Sequence, residues 1–165
     1  MKILGIDPGL AILGWSLLET KGTNPVSVEY GCIRTEPHRP LTERLSDIYS
    51  ALQELFRSLK PDTVAIETLF FVKNVKTLAQ VGHTRGVILL VAGQEKVDVT
   101  EYAPRQIKMA LTGFGGADKK QMQLVVQRRL NLAAIPSPDD AADAVAVALC
   151  HAQYAQTMGK TALTV

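Results

Sequence analysis

The sequence predicts an α/β fold in which a mixed five-stranded sheet, in the order 3-2-1-4-5, carries helices on both faces. Three short apolar runs joined by turns open the chain and are typical of antiparallel hairpins. Further short apolar runs then alternate with helical periodicity, which indicates crossover units and parallel strands. A chain of 165 residues with 47% hydrophobic and 21% charged residues suits one globular domain and excludes disorder, coiled coil and collagen.

The first part of the chain predicts a three-stranded meander. The first strand covers residues 2–7, a short apolar run that stops at Pro8-Gly9. The second strand covers residues 12–19, and the third covers residues 26–34, after a cluster of turn-forming residues at 21–25. Loops this short favour antiparallel pairing of consecutive strands.

After Pro40 the hydrophobic period changes to three or four residues. This spacing predicts an amphipathic helix from Leu41 to Leu59 that ends at Lys60-Pro61. Residues 63–67 predict a short buried strand. Residues 78–94 are apolar around most of the helical circumference and predict a helix buried on two sides, and residues 97–101 predict the fifth strand.

Three more helices complete the predicted fold. The first covers residues 103–111 and has proline in its first turn, where proline is tolerated. A glycine-rich break at 112–116 follows, and Asp118 is expected to cap a basic helix that runs to about Leu130. The last helix begins at Asp140. We expect a single domain over residues 1–156 and a flexible C-terminal tail over 157–165.

The chain carries no pattern of a membrane or secreted protein. Its longest apolar runs, residues 87–93 and 144–150, are far shorter than the ~18 residues of a membrane span. The early carboxylate and the lack of a cleavage motif predict no signal peptide. Cys32 and Cys150 have no metal-ligand spacing and are expected to be reduced thiols. We therefore expect a cytoplasmic protein.

Four acidic residues stand where a site on an α/β sheet is expected. Asp7 ends the first predicted strand and Glu67 ends the fourth, so the order 3-2-1-4-5 places these carboxylates side by side at the rim of the sheet. Asp140 and Asp143 are three residues apart and project from one face of an otherwise almost wholly apolar helix. That helix is expected to pack on the sheet with its first turn at the same rim.

Carboxylates that converge with no basic residue among them repel one another unless divalent cations neutralise them. Ligands that are all oxygen favour Mg²⁺ or Mn²⁺. Four carboxylates suit two ions ~3.5–4 Å apart, the arrangement used for in-line phosphodiester displacement. Each acid alone also has a structural explanation: Asp7 as a turn residue, Glu67 as a strand end, and Asp140 as a charge that favours a helix N-terminus.

Several short segments, in their order along the chain, resemble a single protein family. They are Lys2 to Leu10 with Gly14, Cys32-Ile33-Arg34-Thr35, Ala65-Ile66-Glu67, Phe70, Lys73-Asn74, Arg85-Gly86, Glu101 to Lys108, and Asp140-Ala141-Ala142-Asp143-Ala144. Together they resemble the RuvC family of Holliday-junction resolvases, over residues 1 to about 153. The resemblance implies a ribonuclease H-like fold, a homodimer, and Mg²⁺-dependent nicking of two symmetric strands at a four-way DNA junction in recombination and repair.

The resemblance also implies roles for individual residues. The catalytic acids and metal ligands would be Asp7, Glu67, Asp140 and Asp143, with two Mg²⁺ ions that Mn²⁺ can replace. Lys108 and Lys119 match DNA-contacting lysines, and Phe70 matches an aromatic residue that stacks near the point of strand exchange. Some relatives carry histidine at the Asp140 position, and whether Asp139 assists Asp140 stays open. A junction-binding protein and a branch-migration motor are the implied protein partners.

A basic track is expected beside the acids. Residues 101–130 carry six basic and two acidic residues, although the net charge of the whole chain is only +2. The expected phosphate contacts are Lys73, Lys76, Arg105, Lys108, Lys119 and Lys120, and Arg85 could extend them. By charge alone, a solvated helix face would look the same.

Two further patterns suggest contacts. Phe70 and Phe71 are adjacent in the loop after Glu67, and we expect Phe70 to stack on an unpaired base while Phe71 anchors the loop. Gly82 and Gly86 lie four residues apart on the doubly apolar helix and permit a close helix approach. Together with the resemblance, they make this helix the expected dimer interface.

Three other functions fit parts of the pattern. Residues 5–9 resemble the phosphate loop of actin-like and sugar-kinase-like ATPases, but those enzymes need two such domains and have no need of Asp140 and Asp143. A ribonuclease H-like nuclease acting on another nucleic acid would use the same carboxylates. A DNA-binding module without catalysis would gain nothing from clustered negative charge.

Overall fold

The protein folds as a five-stranded sheet with five helices. The computed structural model describes residues 1–22, 24–68 and 75–161, except for the side chains of residues 75–77 and 156–161. The elements, in chain order, are β1 (Lys2–Asp7), β2 (Ile12–Lys21), β3 (Asn24–Arg34), α1 (Leu41–Leu59), β4 (Thr63–Glu67), α2 (Val75–Glu95), β5 (Asp98–Tyr102), α3 (Pro104–Thr112), α4 (Lys119–Arg129) and α5 (Asp139–Thr161).

The sheet is mixed and has the predicted order β3-β2-β1-β4-β5. β2 pairs antiparallel with both β1 and β3, whereas β4 pairs parallel with both β1 and β5. β2 ends later and β3 starts earlier than predicted, because the pairing between these two strands extends to Lys21 and Asn24. The sequence pattern predicts a turn at both residues. Gly22 there has a φ of 64°, which glycine adopts at little cost.

Among the helices, α2 and α5 show the largest differences between predicted and observed bounds. α2 begins at Val75 rather than at Leu78. α5 continues to Thr161, past the predicted end near residue 156 and into the predicted tail. Residues 162–165 lie outside the described residues, so the flexible tail stays a prediction.

Alternation of side chains divides the core into one layer on each face of the sheet. Ile3, Ala65 and Tyr102 face α5 and pack there with the helix's run of small apolar residues. Leu4 and Ile66 point to the opposite face, where they pack against α1 and α2. Asp7 and Glu67 lie an even number of residues after Ile3 and Ala65 on β1 and β4, so their side chains point to the same face, which α5 covers.

Glycines let α5 lie directly on β1 and β2. A Cβ atom at Gly14 would lie 2.0 Å from the carbonyl oxygen of Asp140, and one at Gly5 would lie 2.3 Å from that of Ala144. The Ser16 hydroxyl donates a hydrogen bond to the same Ala144 oxygen at 3.0 Å. Only residues without a side chain fit this approach, so the sheet fixes the height and position of the helix.

Within the described ranges, none of the helices combines the length and apolarity required to cross a membrane. Cys150 is buried and Cys32 is partly buried, and both are free thiols.

Candidate active site

Asp7 and Glu67 lie side by side at one edge of the sheet. The parallel register pairs Ile6 of β1 with Ile66 of β4, and the two acids follow immediately at the carboxyl ends of these strands. Because side chains alternate, Asp7 points to the same face as Gly5, and Glu67 to the same face as Ala65. Both carboxylates therefore face α5.

The first turn of α5 brings the other two acids to this edge. Gly14 is the residue that pairs with Asp7 across the sheet, and the backbone of Asp140 lies against Gly14. Asp143 follows one turn later on the helix and is only partly exposed. Three separate elements thus deliver Asp7, Glu67, Asp140 and Asp143 to one place, as the strand order and helix packing predicted.

The charges of these acids are coupled. The pKa of Asp7 rises from its ordinary value of 3.8 to about 7, chiefly because the carboxyl is buried and then because Asp143, Glu67 and Asp140 are close. Burial also raises the pKa of Glu67, which Asp143 raises further and Lys108 opposes. Buried carboxylates that repel one another in this way are typical of functional sites, including those that bind cations.

A lysine stands among the acids, which corrects the expectation that no basic residue lies between them. Lys119 Nζ is 2.9 Å from Asp139 Oδ2 and 3.4 Å from Asp143 Oδ2. The pKa of Asp143 is still raised, because burial outweighs the effect of Lys119. The sequence could not place this ion pair, since Lys119 belongs to α4 and reaches α5 only through the tertiary fold.

Asp139 is the more exposed acid at the start of α5 and shares Lys119 with Asp143. Its side chain is 64% exposed, and besides Lys119 it accepts a hydrogen bond from the Gln123 amide at 3.0 Å. The hydrogen bond from Lys119 lowers the pKa of Asp139. Asp139 therefore contacts α4, whereas Asp140 and Asp143 belong to the acidic cluster.

A cleft of about 310 Å³ opens beside the acids. Its polar lining is Glu67, Asp143, Lys108 and Lys119, and its apolar lining is Pro104, Ile107, Met122 and Ala146. A cleft lined by both acids and lysines suits a phosphodiester, because the lysines can hold the phosphate next to the acids.

The donor chemistry of the cluster fits hard divalent cations, since all four side chains offer oxygen. Within the described part of the chain, no three His, Cys, Asp or Glu side chains are grouped tightly enough to hold an ion as they stand. The Lys119 ammonium lies 3.4 Å from Asp143 Oδ2 and partly balances the charge of that acid. Asp7, Glu67, Asp140 and Asp143 are the side chains that would hold divalent cations.

The other predicted site residues have different outcomes. Phe70, Phe71 and Lys73 lie outside the described residues, as does the side chain of Lys76. Arg105 and Lys120 are exposed on α3 and α4. Arg85 forms an ion pair with Glu101, so a neighbouring acid already balances its charge. For the described side chains of Arg85, Arg105 and Lys120, the contacts in the structure assign no role on DNA.

Sequence reasoning missed the two glycines that seat α5. Gly14 interrupts an apolar strand, and a glycine inside a strand often marks a close approach of another backbone. That signal was present, but it did not say which backbone approaches.

The sequence profile of the family described as crossover junction endodeoxyribonuclease RuvC matches residues 3–151. The chain belongs to the RuvC family. It is 48% identical over 159 residues to the family member of Desulforamulus reducens, covering 96% of this chain and 98% of that protein. It is 46% identical over 164 residues to that of Chloroflexus aurantiacus, covering 99% and 100%.

A solved RuvC structure shows the same fold. The RuvC of Thermus thermophilus, in complex with a Holliday junction substrate, superposes with a TM-score of 0.91 at 35% identity and covers 96% of both chains. The likeness confirms the predicted ribonuclease H-like fold. It also makes an actin-like or sugar-kinase-like ATPase the less favoured interpretation of residues 5–9.

Proposed function

We propose that the protein is an endonuclease that resolves four-way DNA junctions by paired symmetric nicks. The convergence of Asp7, Glu67, Asp140 and Asp143 at one edge of the sheet carries this proposal, in a chain whose relatives are named crossover junction endodeoxyribonucleases. The relative from Thermus thermophilus binds a Holliday junction substrate with the same fold. Homologous recombination and DNA repair are the processes that need this reaction.

The acids and the lysines of the site have different proposed roles. The four acids would hold two divalent cations, Mg²⁺ or Mn²⁺, which activate water and stabilise the leaving 3′ oxygen when bound. Lys108 and Lys119 would bind the phosphates that flank the nicked bond and orient it toward the acids. Lys73, Lys76, Arg105 and Lys120 would extend these contacts along the backbone, with Phe70 stacking at the exchange point.

The deciding experiment compares substrates and metals with one purified preparation. We expect paired symmetric nicks in a mobile four-way junction with Mg²⁺ or Mn²⁺, and no nicking in EDTA. Ca²⁺ should support little activity, because it takes more ligands at longer distances. Equal cleavage of linear duplex or of an RNA–DNA hybrid would instead favour a ribonuclease H-like nuclease with another substrate, and full activity in EDTA would exclude the metal mechanism.

We further propose a homodimer that joins two copies through α2, since two symmetric nicks need two sites. One face of α2 supports this: Leu78 is 40% exposed and Leu90 is 53% exposed. Gly82 and Gly86 lie on the same face, and a Cβ atom on either would meet nothing within 4 Å. Among the described residues of a single chain, this face is thus apolar and no other element covers it.

Gly86→Leu is expected to shift the protein from dimer to monomer in sedimentation velocity, because the new side chain blocks close helix approach. The folded chain should not suffer, since leucine in an exposed helix interior is about 0.5–1 kcal/mol more favourable than glycine. Glu54→Leu adds the same side chain to the exposed face of α1 and should remain dimeric. A dimeric Gly86→Leu protein would place the interface elsewhere.

Two further proposals concern protein partners and cellular location. A junction-binding protein and a branch-migration motor are proposed on the family resemblance. A cytoplasmic location is supported by the two free thiols, which a reducing compartment maintains.

A further inference from the structure

The loop between α3 and α4 presents an aromatic ring to solvent. Phe114 is 64% exposed, in a segment where glycines flank it at positions 113, 115 and 116. A phenyl ring left in water forgoes the stabilisation that burial would give it. Neither the carboxylates nor the lysines of the proposed mechanism account for its placement.

Hydrogen bonds hold the backbone of Phe114 in place. Thr112 Oγ1 accepts a hydrogen bond from the Phe114 amide at 3.1 Å and lies 2.8 Å from the Lys108 carbonyl oxygen, to which it donates. The Ala117 amide donates to the Phe114 carbonyl oxygen at 3.2 Å. Phe114 is therefore fastened to the turn that carries Lys108 on one side and to the start of α4 on the other.

The glycines of the loop make room for neighbouring side chains. A Cβ atom at Gly116 would lie 2.7 Å from Cζ of Phe114, so the far edge of the ring rests on bare backbone. A Cβ atom at Gly115 would lie 2.8 Å from Cγ of Arg105, so the Arg105 side chain lies along the same loop. The loop thus seats an aromatic ring and a guanidinium group together.

Basic residues flank the segment that carries the ring. Lys108 and Lys119, which line the cleft, lie at the two ends of the segment that contains Phe114. Lys120 is exposed next to Lys119, and the acid of the segment, Asp118, is engaged in capping α4 through the Gln121 amide at 2.8 Å. An exposed aromatic side chain near basic residues suits DNA better than a protein surface, because DNA offers phosphates to the basic residues and flat bases to the ring.

We propose that Phe114 is a second aromatic DNA contact, which stacks on a base next to the phosphates bound by Lys108 and Lys119. This proposal rests on the proposed function and deepens it. Stacking would add a nonionic contribution to DNA binding, whereas the lysines contribute through charge. The Phe114 contact acts on the α3–α4 side of the cleft, whereas Phe70 follows β4.

The test measures junction affinity in EDTA, where no cleavage occurs, over a series of salt concentrations. Phe114→Ala should weaken binding about 5- to 150-fold with an unchanged salt slope, because stacking releases no counterions. Lys108→Ala and Lys119→Ala should instead lower the slope by about one unit each. Phe114→Trp should bind like the unmodified chain, and a 2-aminopurine placed near the nicked bond should lose fluorescence when this variant or the unmodified protein binds.

Val26→Ala is the matched control, since Val26 is 66% exposed on β3 and should not affect binding. Thermal unfolding should show Phe114→Ala to be folded. Unchanged affinity in Phe114→Ala would overturn the proposal and leave the ring as a surface for another protein. A loss of affinity with a reduced salt slope would also overturn it, because the loop would then serve only to place cations. Equal binding of junction and linear duplex by the unmodified chain would refute junction selectivity. The affinities of Phe114→Ala and Phe114→Trp would still test the stacking contact in that case.

Discussion

Asp7→Asn is expected to slow junction nicking by at least about 10³-fold, equivalent to ~4 kcal/mol, while junction binding persists. The Asp7 carboxyl lies within the acidic cluster, where burial raises its pKa and Asp143, Glu67 and Asp140 raise it further. Asparagine keeps the shape of the side chain but supplies only one neutral oxygen donor. Glu67→Gln, Asp140→Asn and Asp143→Asn should have the same effect, measured as single-turnover rates at saturating protein.

Asp139→Asn is the matched control for these variants. It makes the same chemical change in the residue next to Asp140, but Asp139 is exposed and contacts Lys119 and Gln123. It should retain cleavage within a few-fold of the unmodified chain. Binding by the cluster variants could tighten, because each loses a negative charge that faces phosphates. Near-normal cleavage by any two of the four cluster variants would rule out the assignment.

Asp7→Asn is also expected to stabilise the protein in EDTA at pH 8, by on the order of 2 kcal/mol. Asp7 has a pKa of about 7 in the folded chain against an ordinary value of 3.8, so between these values the folded state binds more protons than the unfolded state. The free energy of unfolding must therefore fall as the pH rises from about 4 to 7. Asparagine removes this penalty, and partial solvent access keeps the gain below the full value of the pKa shift.

Urea unfolding at a series of pH values measures this effect. The advantage of Asp7→Asn should be full above pH 7 and should vanish near pH 4, where the carboxyl is protonated in both states. Added Mg²⁺ should stabilise the unmodified chain more than the variant, because the cation relieves the same repulsion. An Asp7→Asn protein that is less stable than the unmodified chain at pH 8, with no dependence on pH, would contradict a repulsive cluster.

Much of the fold could be predicted because local pattern and final packing agree. The apolar runs of β1 and β4 and the periodicity of α1 set the bounds of those elements to the residue. The change from hairpins to crossovers indicated the mixed sheet. Asp7 and Glu67 could be paired from sequence, because carboxyl ends of adjacent parallel strands share one edge.

Contacts between elements distant in sequence could not be predicted in the same way. Hydrophobic periodicity shows which face of α5 is buried, but it does not show that Gly5 and Gly14 receive the backbone of that helix. Likewise, the charge of Lys119 suggested phosphate binding, whereas its position beside Asp143 depends on how α4 packs on α5. Arg85 was assigned to the same basic track, but Glu101 lies next to it only once α2 covers β5.

The packing of α5 on the β1–β2 hairpin has a consequence for partly synthesised chains, because α5 carries two of the four acids. The Ser16–Ala144 hydrogen bond joins residues 128 positions apart, and Asp140 lies over the strand next to Asp7. A ribosome releases β1 to β5 well before α5, so a prematurely terminated chain can contain every strand of the sheet while Asp140 and Asp143 are missing. Under the proposed assignment of the four acids, such a fragment would not cut DNA.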